Sequence, residues 1–394
     1  MRVTSGGFSA KRLARVRDVL KRYVDSGYTP GAVAVVARHG EIHVEAVGNL
    51  AFEGAGSNTR MATDTICRIF SMSKPIVAAC AMTLVEQGTL RLDDPVDEFL
   101  PELADMTVLA DPKGPLENTV PAERPITLRD LLTFRAGTGM AVGELGGTPI
   151  AAALDALDPP PPPDEWIRRL GALPLVYQPG ERWMYDIAAD VTGVLIARAT
   201  GKSFGDALRE RICEPLGMKD TAFSVAGENM GRLATLYMRD RKTDEVVATD
   251  RPDGRWSRPP VFESGGGGLV STADDYLAFA SALLAGGIHR GTRVLSRPSV
   301  TLMTSDHLTP AQKPFPGFPP AFHDYGWGFG MGVRIRRTEL GPSVGSYEWR
   351  GRGNAWSNDP AEDMTTILMG QRDVEPPFAM SRDVWTAAYQ AIDD

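Results

Sequence analysis

Apolar and polar positions change period several times along the chain. In residues 9–26, Leu13, Val16, Leu20, Tyr23 and Val24 recur on one face behind Ser9, which predicts an amphipathic helix capped by that serine. "GAVAVVARHGEIHVEAVG" then gives two β-rich runs parted by His39-Gly40, a hairpin signal. Residues 71–87 are apolar nearly all round, so a central, buried helix is expected there. "LRLDDPVDEFLPEL" is its turn-rich exit. Residues 90–235 read as helical with long connections; "ITLRDLLTF" and "DVTGVLIARATG" are helix-like, the second ending on Gly201. Between them the tract Pro159–Pro163 predicts stiff polyproline II, inside a surface excursion at 140–165 placed to act as a lid. Strand signals return after residue 240 in "GGLVST", "GWGFGMGVRI", "SYEWRG" and "MTTILMGQ", and a helix near 380–392 closes the chain.

The order helix, strands, helical block, strands, helix predicts a sheet built from both chain ends around an inserted helical domain. The expected division is an α/β domain from residues 1–75 and 236–394 and a helical domain from 76–235. A length of 394 residues fits more than one domain. The net charge of −8 argues against a nucleic-acid surface. Cys67, Cys80 and Cys213 have neither CxxC spacing nor an even count, which fits reduced structural thiols. The N-terminal stretch has no apolar signal-peptide core, and no run reaches the roughly 18 apolar residues that span a bilayer. A soluble, cytoplasmic protein without a membrane partner is expected.

Candidate chemistry centres on "RIFSMSKPIVAAC". Among the lysines only Lys74 has a serine, Ser71, three residues before it. Spacing of three puts both on one helix face. The helix N-terminus adds positive potential beside the serine oxygen. In an apolar pocket a lysine amine loses its proton more easily, so Lys74 is expected to act as general base on Ser71. The ordinary alternative is a helix cap with a snorkelling lysine.

A rival serine lies in "GPSVG", Gly341–Gly345, which matches the G-x-S-x-G nucleophile elbow. An elbow needs a helix after the serine and a histidine later in the chain. "GSYEWRG" reads instead as turn and strand, and His39, His43, His289, His307 and His323 all precede Ser343. A turn is the better reading of that motif. No HExxH and no His/Cys cluster point to a metal. "SGGGGLVST" lacks a P-loop ending and reads as close backbone packing before a helix capped near Ser271.

The stretch "RIFSMSKPIVAACAMTLVEQGTLRLDDPVDEFLPE" resembles the serine-bearing segment of class C β-lactamases and their relatives, the serine β-lactamase/DD-peptidase-fold hydrolases, including family VIII carboxylesterases. "PITLRDLLTFRAGTG", "PGERWMYDIAADVTGVLIARATG", "GGGGLVSTADDYLAFASALLAGG" and "YEWRGRGNAWSNDPAEDMTTILMGQR" follow in the family's order. The resemblance implies an α/β fold, an antiparallel sheet flanked by helices plus an inserted all-helical domain, with the active site in the cleft. It implies Ser71 and Lys74 as the S-x-x-K pair and Tyr185 as the tyrosine opening Y-x-N. Ile187 stands where that motif has asparagine. Trp349-Arg350-Gly351 stands where β-lactamases carry Lys-Thr-Gly and is close to the W-G-G of family VIII esterases. The implied oxyanion hole is the backbone N–H of Ser71 and of Arg352. Trp349, Arg350, Gly351 and Ile187 are the implied substrate-binding residues, with Trp349 an apolar surface and Arg350 or Arg352 a replacement cation.

The expected activity is a serine carboxylesterase acting on short-chain esters through an acyl-enzyme on Ser71, without metal or organic cofactor. Its partner is a small-molecule ester, with weak β-lactam hydrolysis possible. The alternatives are a β-lactamase or D-amino-acid amidase or peptidase of the same fold, a binding protein that has lost the chemistry, and an α/β-hydrolase using Ser343.

Overall fold

The apolar run after residue 30 forms strand β1 (Gly31–Arg38), and the His39-Gly40 turn returns the chain as β2 (Glu41–Gly48). In this computed structural model, which describes residue 4 and residues 6–240, 242–313, 320–373 and 379–394, both turn residues have positive φ, 49° and 79°. That backbone matches strand twist in a two-residue hairpin. The rest of the sheet comes from the other end of the chain: β3 (Tyr325–Trp327), β4 (Gly332–Arg334), β5 (Tyr347–Arg350), β6 (Ala355–Asp359) and β7 (Met364–Gly370). The order is β3-β4-β5-β6-β7-β1-β2, antiparallel throughout, with Ala32 opposite Gly370 and Arg38 opposite Met364.

β1 reads as a nearly continuous apolar run because the sheet is covered on both faces. Of the helices α1 (Ala10–Leu13), α2 (Arg15–Asp25), α3 (Ser73–Glu86), α4 (Ile187–Thr200), α5 (Ala273–Leu284) and α6 (Ala379–Tyr389), α2, α5 and α6 lie against the sheet and α3 packs against α4. Ala32, Ala34 and Val36 pack with Leu13, Val16, Leu20, Val384 and Trp385 from the terminal helices. Val33 and Val35 face the larger core with α3, α4 and α5. The helix expected at 9–26 is thus two helices, parted at Ala14. α3 is buried all round from Ser73 to Leu84, as its composition requires, but it starts at Ser73 because Phe70–Met72 form a separate 3-10 turn.

Between the two halves of the sheet lie Leu128–Leu132, Pro149–Asp155, Pro163–Gly171, α4 and Phe204–Leu208, all helical. The proline tract ends as a helix start, since Pro163 occupies a first-turn position where its missing N–H has no cost. α4 ends on Gly201 at φ 65°, as expected from the glycine. The helix after the glycine run is capped by Thr272, not Ser271, through a bond from the Asp275 N–H. Two features escape the hydrophobic pattern. Strand β6 carries Ser357, Asn358 and Asp359, all buried; Asn358 donates to Ala280 O at 2.7 Å and to Tyr347 Oη at 3.1 Å. Leu236–Arg239 and Val246–Asp250 form a small separate hairpin. Among the described residues no helix is long and apolar enough to cross a membrane.

The segment that leads into α3 is tied down by a buried cation. Cys67–Arg68 pairs with Val270–Ser271. The Arg68 side chain, fully buried, is ion-paired with Asp250, donates to Arg251 O at 3.1 Å and lies 5.3 Å from the Trp256 ring. Arg68→Met leaves Asp250 without its main partner, and removing one member of a buried pair typically costs about 3–5 kcal/mol. A urea titration should show a loss of that order, with part of it recovered when Asp250 is also made apolar.

Candidate active site

Ser71 and Lys74 are brought together by the 3-10 turn and the first turn of α3. Lys74 Nζ donates to Ser71 Oγ at 2.9 Å. It has two more oxygen partners: the Asp186 carboxylate at 2.5 Å and the Gly266 carbonyl. The lysine is only 1% exposed. Gly266 belongs to the glycine run, and the close packing expected of that run is present. A Cβ on Gly265 would stand 2.3 Å from Ala189 O.

Tyr185, just before α4, meets the pair from the other side. Lys74 Nζ lies 4.5 Å from the centre of the Tyr185 ring. The phenol is packed against Phe134, Trp183 and Trp349, with ring centres 5.6–5.8 Å away. Trp349 Nε1 donates to Tyr185 Oη at 2.8 Å. Asp186 follows with φ 85° and ψ −75°, close to the γ-turn conformation that side chains rarely adopt. Such strain costs of order 1–3 kcal/mol and persists only where the surroundings impose it. Phe70, immediately before Ser71, also has positive φ, at 46°.

The electrostatics differ from those expected of a lysine in an apolar pocket. Burial works to lower the Lys74 ammonium, but the Asp186 carboxylate, with help from Tyr185 and Asp190, outweighs it, and the net direction is upward. That direction runs against the easily deprotonated amine expected from an apolar pocket, because the pocket holds a carboxylate. Burial raises the Tyr185 phenol; Lys74 and hydrogen bonds with Ser71 and Trp349 pull it down, Asp186 adds to the rise, and the net direction is up. Asp190 accepts from Ser264 Oγ at 2.7 Å and from the Gly266 N–H at 2.9 Å. Burial and then the Asp186 charge push it up to about 6.

The Trp349–Arg352 segment closes the third side. A Cβ on Gly351 would meet Ile69 O at 2.1 Å, so only glycine lets the end of β5 approach the strand that leads to Ser71. Trp349 is 3% exposed. It is therefore no open surface for a substrate, and its indole instead holds Tyr185. Arg350 is bound to Glu348 at 2.9 Å with its side chain 14% exposed, so it is committed to the sheet and not held out as a cation for substrate. Arg352 is 58% exposed, pairs with Asp373 at 3.2 Å and lies 5.3 Å from the Phe70 ring. Ile187 does face open space: it lines a cavity of about 450 Å³ together with Leu154, Leu157, Trp166, Phe262 and Asp186. Residues 140–165, expected as a surface excursion, supply one wall of that cavity through Met140, Leu154 and Pro160.

The rival groups lie elsewhere. Ser343 sits in a turn before β5, its N–H donating to Asp359 Oδ2 at 2.7 Å. His39 pairs with Asp363, His43 with Glu45, and His307 stacks on Phe329. Among the described residues no group of His, Cys, Asp or Glu is arranged to hold a metal ion. The sequence reading missed Asp186, Gly266 and Asp190. The available signal was an aspartate directly after the motif tyrosine.

The arrangement can activate a serine hydroxyl. Removing the Trp349 indole N–H, as in Trp349→Phe, takes one donor from the Tyr185 oxygen. If that oxygen carries charge during turnover, the loss is about 1.5–3 kcal/mol. That predicts kcat lower by about ten- to a hundred-fold, with KM little changed. Gly351→Ala should cost more activity than stability, since the clash falls on the backbone next to Ser71; thermal melts beside initial rates would check this.

The Beta-lactamase family model matches residues 16–391. Esterase EstB of Burkholderia gladioli is 31% identical, covering 92% of this chain and 91% of its own. Protein Rv1367c of Mycobacterium tuberculosis is 38% identical over 91% of this chain and 88% of its own. Among solved structures, EstCE1, described as a hydrolase with promiscuous acyltransferase activity, superimposes with a TM-score of 0.80 at 24% identity, covering 98% of this chain and 99% of that one. With a serine, a lysine and a tyrosine converging beside a glycine-lined sheet edge, the chain belongs to the beta-lactamase family, as a serine hydrolase of the carboxylesterase type.

Proposed function

We propose that this protein hydrolyses short-chain carboxylic esters through an acyl-enzyme on Ser71. The contact of Lys74 Nζ with Ser71 Oγ at 2.9 Å, beside the Tyr185 phenol, is the observation that carries the reading. Ser71 Oγ attacks the ester carbonyl while its proton passes to the Lys74–Tyr185 pair. The backbone N–H groups of Ser71 and Arg352 receive the charge that develops on the carbonyl oxygen. The alcohol leaves with the proton, and water then repeats the sequence to release the acid. The cavity joins an apolar wall of Leu154, Leu157, Trp166, Ile187 and Phe262 to the charged Asp155, Asp158, Asp190 and Arg255, and the apolar wall supports an ester with an acyl or alkyl group.

A β-lactam or D-amino-acid amide fits less well. Ile187 offers no amide, and Arg350 is tied to Glu348. Each missing polar or charged contact is worth about 1.5–3 kcal/mol. kcat/KM for a short p-nitrophenyl ester should therefore exceed that for any penicillin or cephalosporin, and a β-lactam preferred tenfold would reverse the assignment to the amidase reading. Arg352, more than half exposed, would then be the anchor to mutate.

Labelling tests the nucleophile. A fluorophosphonate probe should modify Ser71, and Ser71→Ala should lose both label and turnover while Ser343→Ala keeps both. Peptide mapping that found the label on Ser343 would refute the mechanism. Because the active form needs a proton removed from a pair whose members are both shifted upward, the rate should still be climbing at pH 9. A single limb near pH 6.5 would point to histidine instead.

A further inference from the structure

We propose that the cavity at Asp186 and Ile187 seats an ammonium group, so that the preferred substrates are esters with a basic amine or quaternary ammonium on the acyl or alcohol part, and that Asp190, Asp155 and Asp158 set this specificity. The inference rests on the esterase reading and names the esters that site takes. The cavity, of about 450 Å³, meets the catalytic group at Asp186, the partner of Lys74, and its lining includes all three of these aspartates.

Asp190 lies in the first turn of α4. Its Oδ1 accepts from Ser264 Oγ at 2.7 Å and from the Gly266 N–H at 2.9 Å. Its Oδ2 accepts no hydrogen bond, and no cation is ion-paired with it among the described residues. A Cβ on Gly266 would stand 3.0 Å from Asp186 Oδ1 and 3.1 Å from Asp190 Oδ2, so both carboxylates crowd one notch. Asp186 has the Lys74 ammonium as its counter-charge; Asp190 has only dipoles. A carboxylate withdrawn from water beside a second anion is unfavourable. A cation entering the cavity relieves both costs.

Asp155 and Asp158 extend the same sign outward. Both are exposed, and neither has an ion pair or a side-chain hydrogen bond among the described residues. Asp155 ends the helix Pro149–Asp155, where the helix dipole disfavours an anion. The lining also holds Trp166 and Phe262, with ring centres 4.9 Å apart. Aromatic faces attract ammonium groups, quaternary ones included. Carboxylates and aromatic rings together suit a cation with an apolar body and repel a ligand that carries a carboxylate. The opposing charge in the lining is Arg255, whose guanidinium lies 5.2 Å from the Trp256 ring. Three carboxylates without an ion pair thus stand against one guanidinium.

The test compares esters of one shape and different charge on the full chain. On the acyl side, the p-nitrophenyl ester of γ-trimethylammoniobutyrate is set against the isostere with tert-butyl in place of trimethylammonium. On the alcohol side, butyrylcholine is set against its tert-butyl isostere. Each kcat/KM is divided by the hydroxide rate of the same ester, which removes inductive activation by the ammonium. In one pair the cationic ester should be favoured by about ten-fold or more. That ratio should fall by about three-fold or more in Asp190→Asn, and again in Asp155→Asn with Asp158→Asn. Asparagine keeps an acceptor for Ser264 and Gly266, so the first variant reads charge rather than hydrogen bonding. Taking the ratio within a pair cancels changes in folding or in the shared chemistry. Ratios near one in both pairs would overturn the ammonium site, as would a preference that survives both variants. So would faster cleavage of the p-nitrophenyl monoester of glutarate than of the tert-butyl ester, which would make Arg255 the anchor. In each of these cases p-nitrophenyl acetate hydrolysis by the native protein leaves the esterase reading standing. No hydrolysis of p-nitrophenyl acetate or of any of these esters would overturn both.

Discussion

A lysine charge with almost no access to water is the constraint around which this active site is built. An isolated ammonium in such a place would be strongly unfavourable, and a buried charge survives only when its partners are complete. Here the partners come from three separate parts of the chain: the turn before α3, the residue before α4 and the glycine run before α5. Each of these is in turn packed so closely that side chains are excluded, as at Gly265 and Gly351. The charge and the tight backbone contacts depend on each other. Widening any of the three would let water reach the lysine and loosen its aim.

Backbone strain follows the same map. Among the described residues, seven positions other than glycine have positive φ, and three of them, Phe70, Phe134 and Asp186, touch the site. The aromatic bed of Phe134, Trp183, Trp327 and Trp349 supplies the rigidity that keeps them there. Large aromatic side chains bury much area while losing few rotamers, so they make a stiff backing for a reactive phenol.

Much of this was legible in the sequence. The period-2 runs marked most strands of the sheet, and the apolar helix behind Ser71 could be read from composition. The serine, lysine and tyrosine were all found by their motifs, and they do converge. What stayed hidden depends on geometry that spacing does not encode. Asp186 went unnoticed because nothing in the spacing signals the φ of 85° with which it meets Lys74. Trp349 looked like a substrate surface because nothing local shows that the indole turns inward to Tyr185. β6 was missed because it buries Ser357, Asn358 and Asp359, and the partners of Asn358, Ala280 and Tyr347, lie outside the strand.

The pairing of β1 with β7 sets an order of assembly. β1 leaves the ribosome early, yet the partner on its inner edge, Met364–Gly370, comes more than three hundred residues later. Until then the β1 edge of the hairpin is unpaired as well as the β2 edge, and an open edge invites wrong pairing. Ser71 likewise waits for Gly351 and Arg352, which arrive on the same late stretch. A nascent chain holding the serine, lysine and tyrosine is therefore still without the sheet edge that completes their surroundings. Synthesis itself delays the reactive serine until nearly all of the protein has been made, and contacts of such long range close slowly.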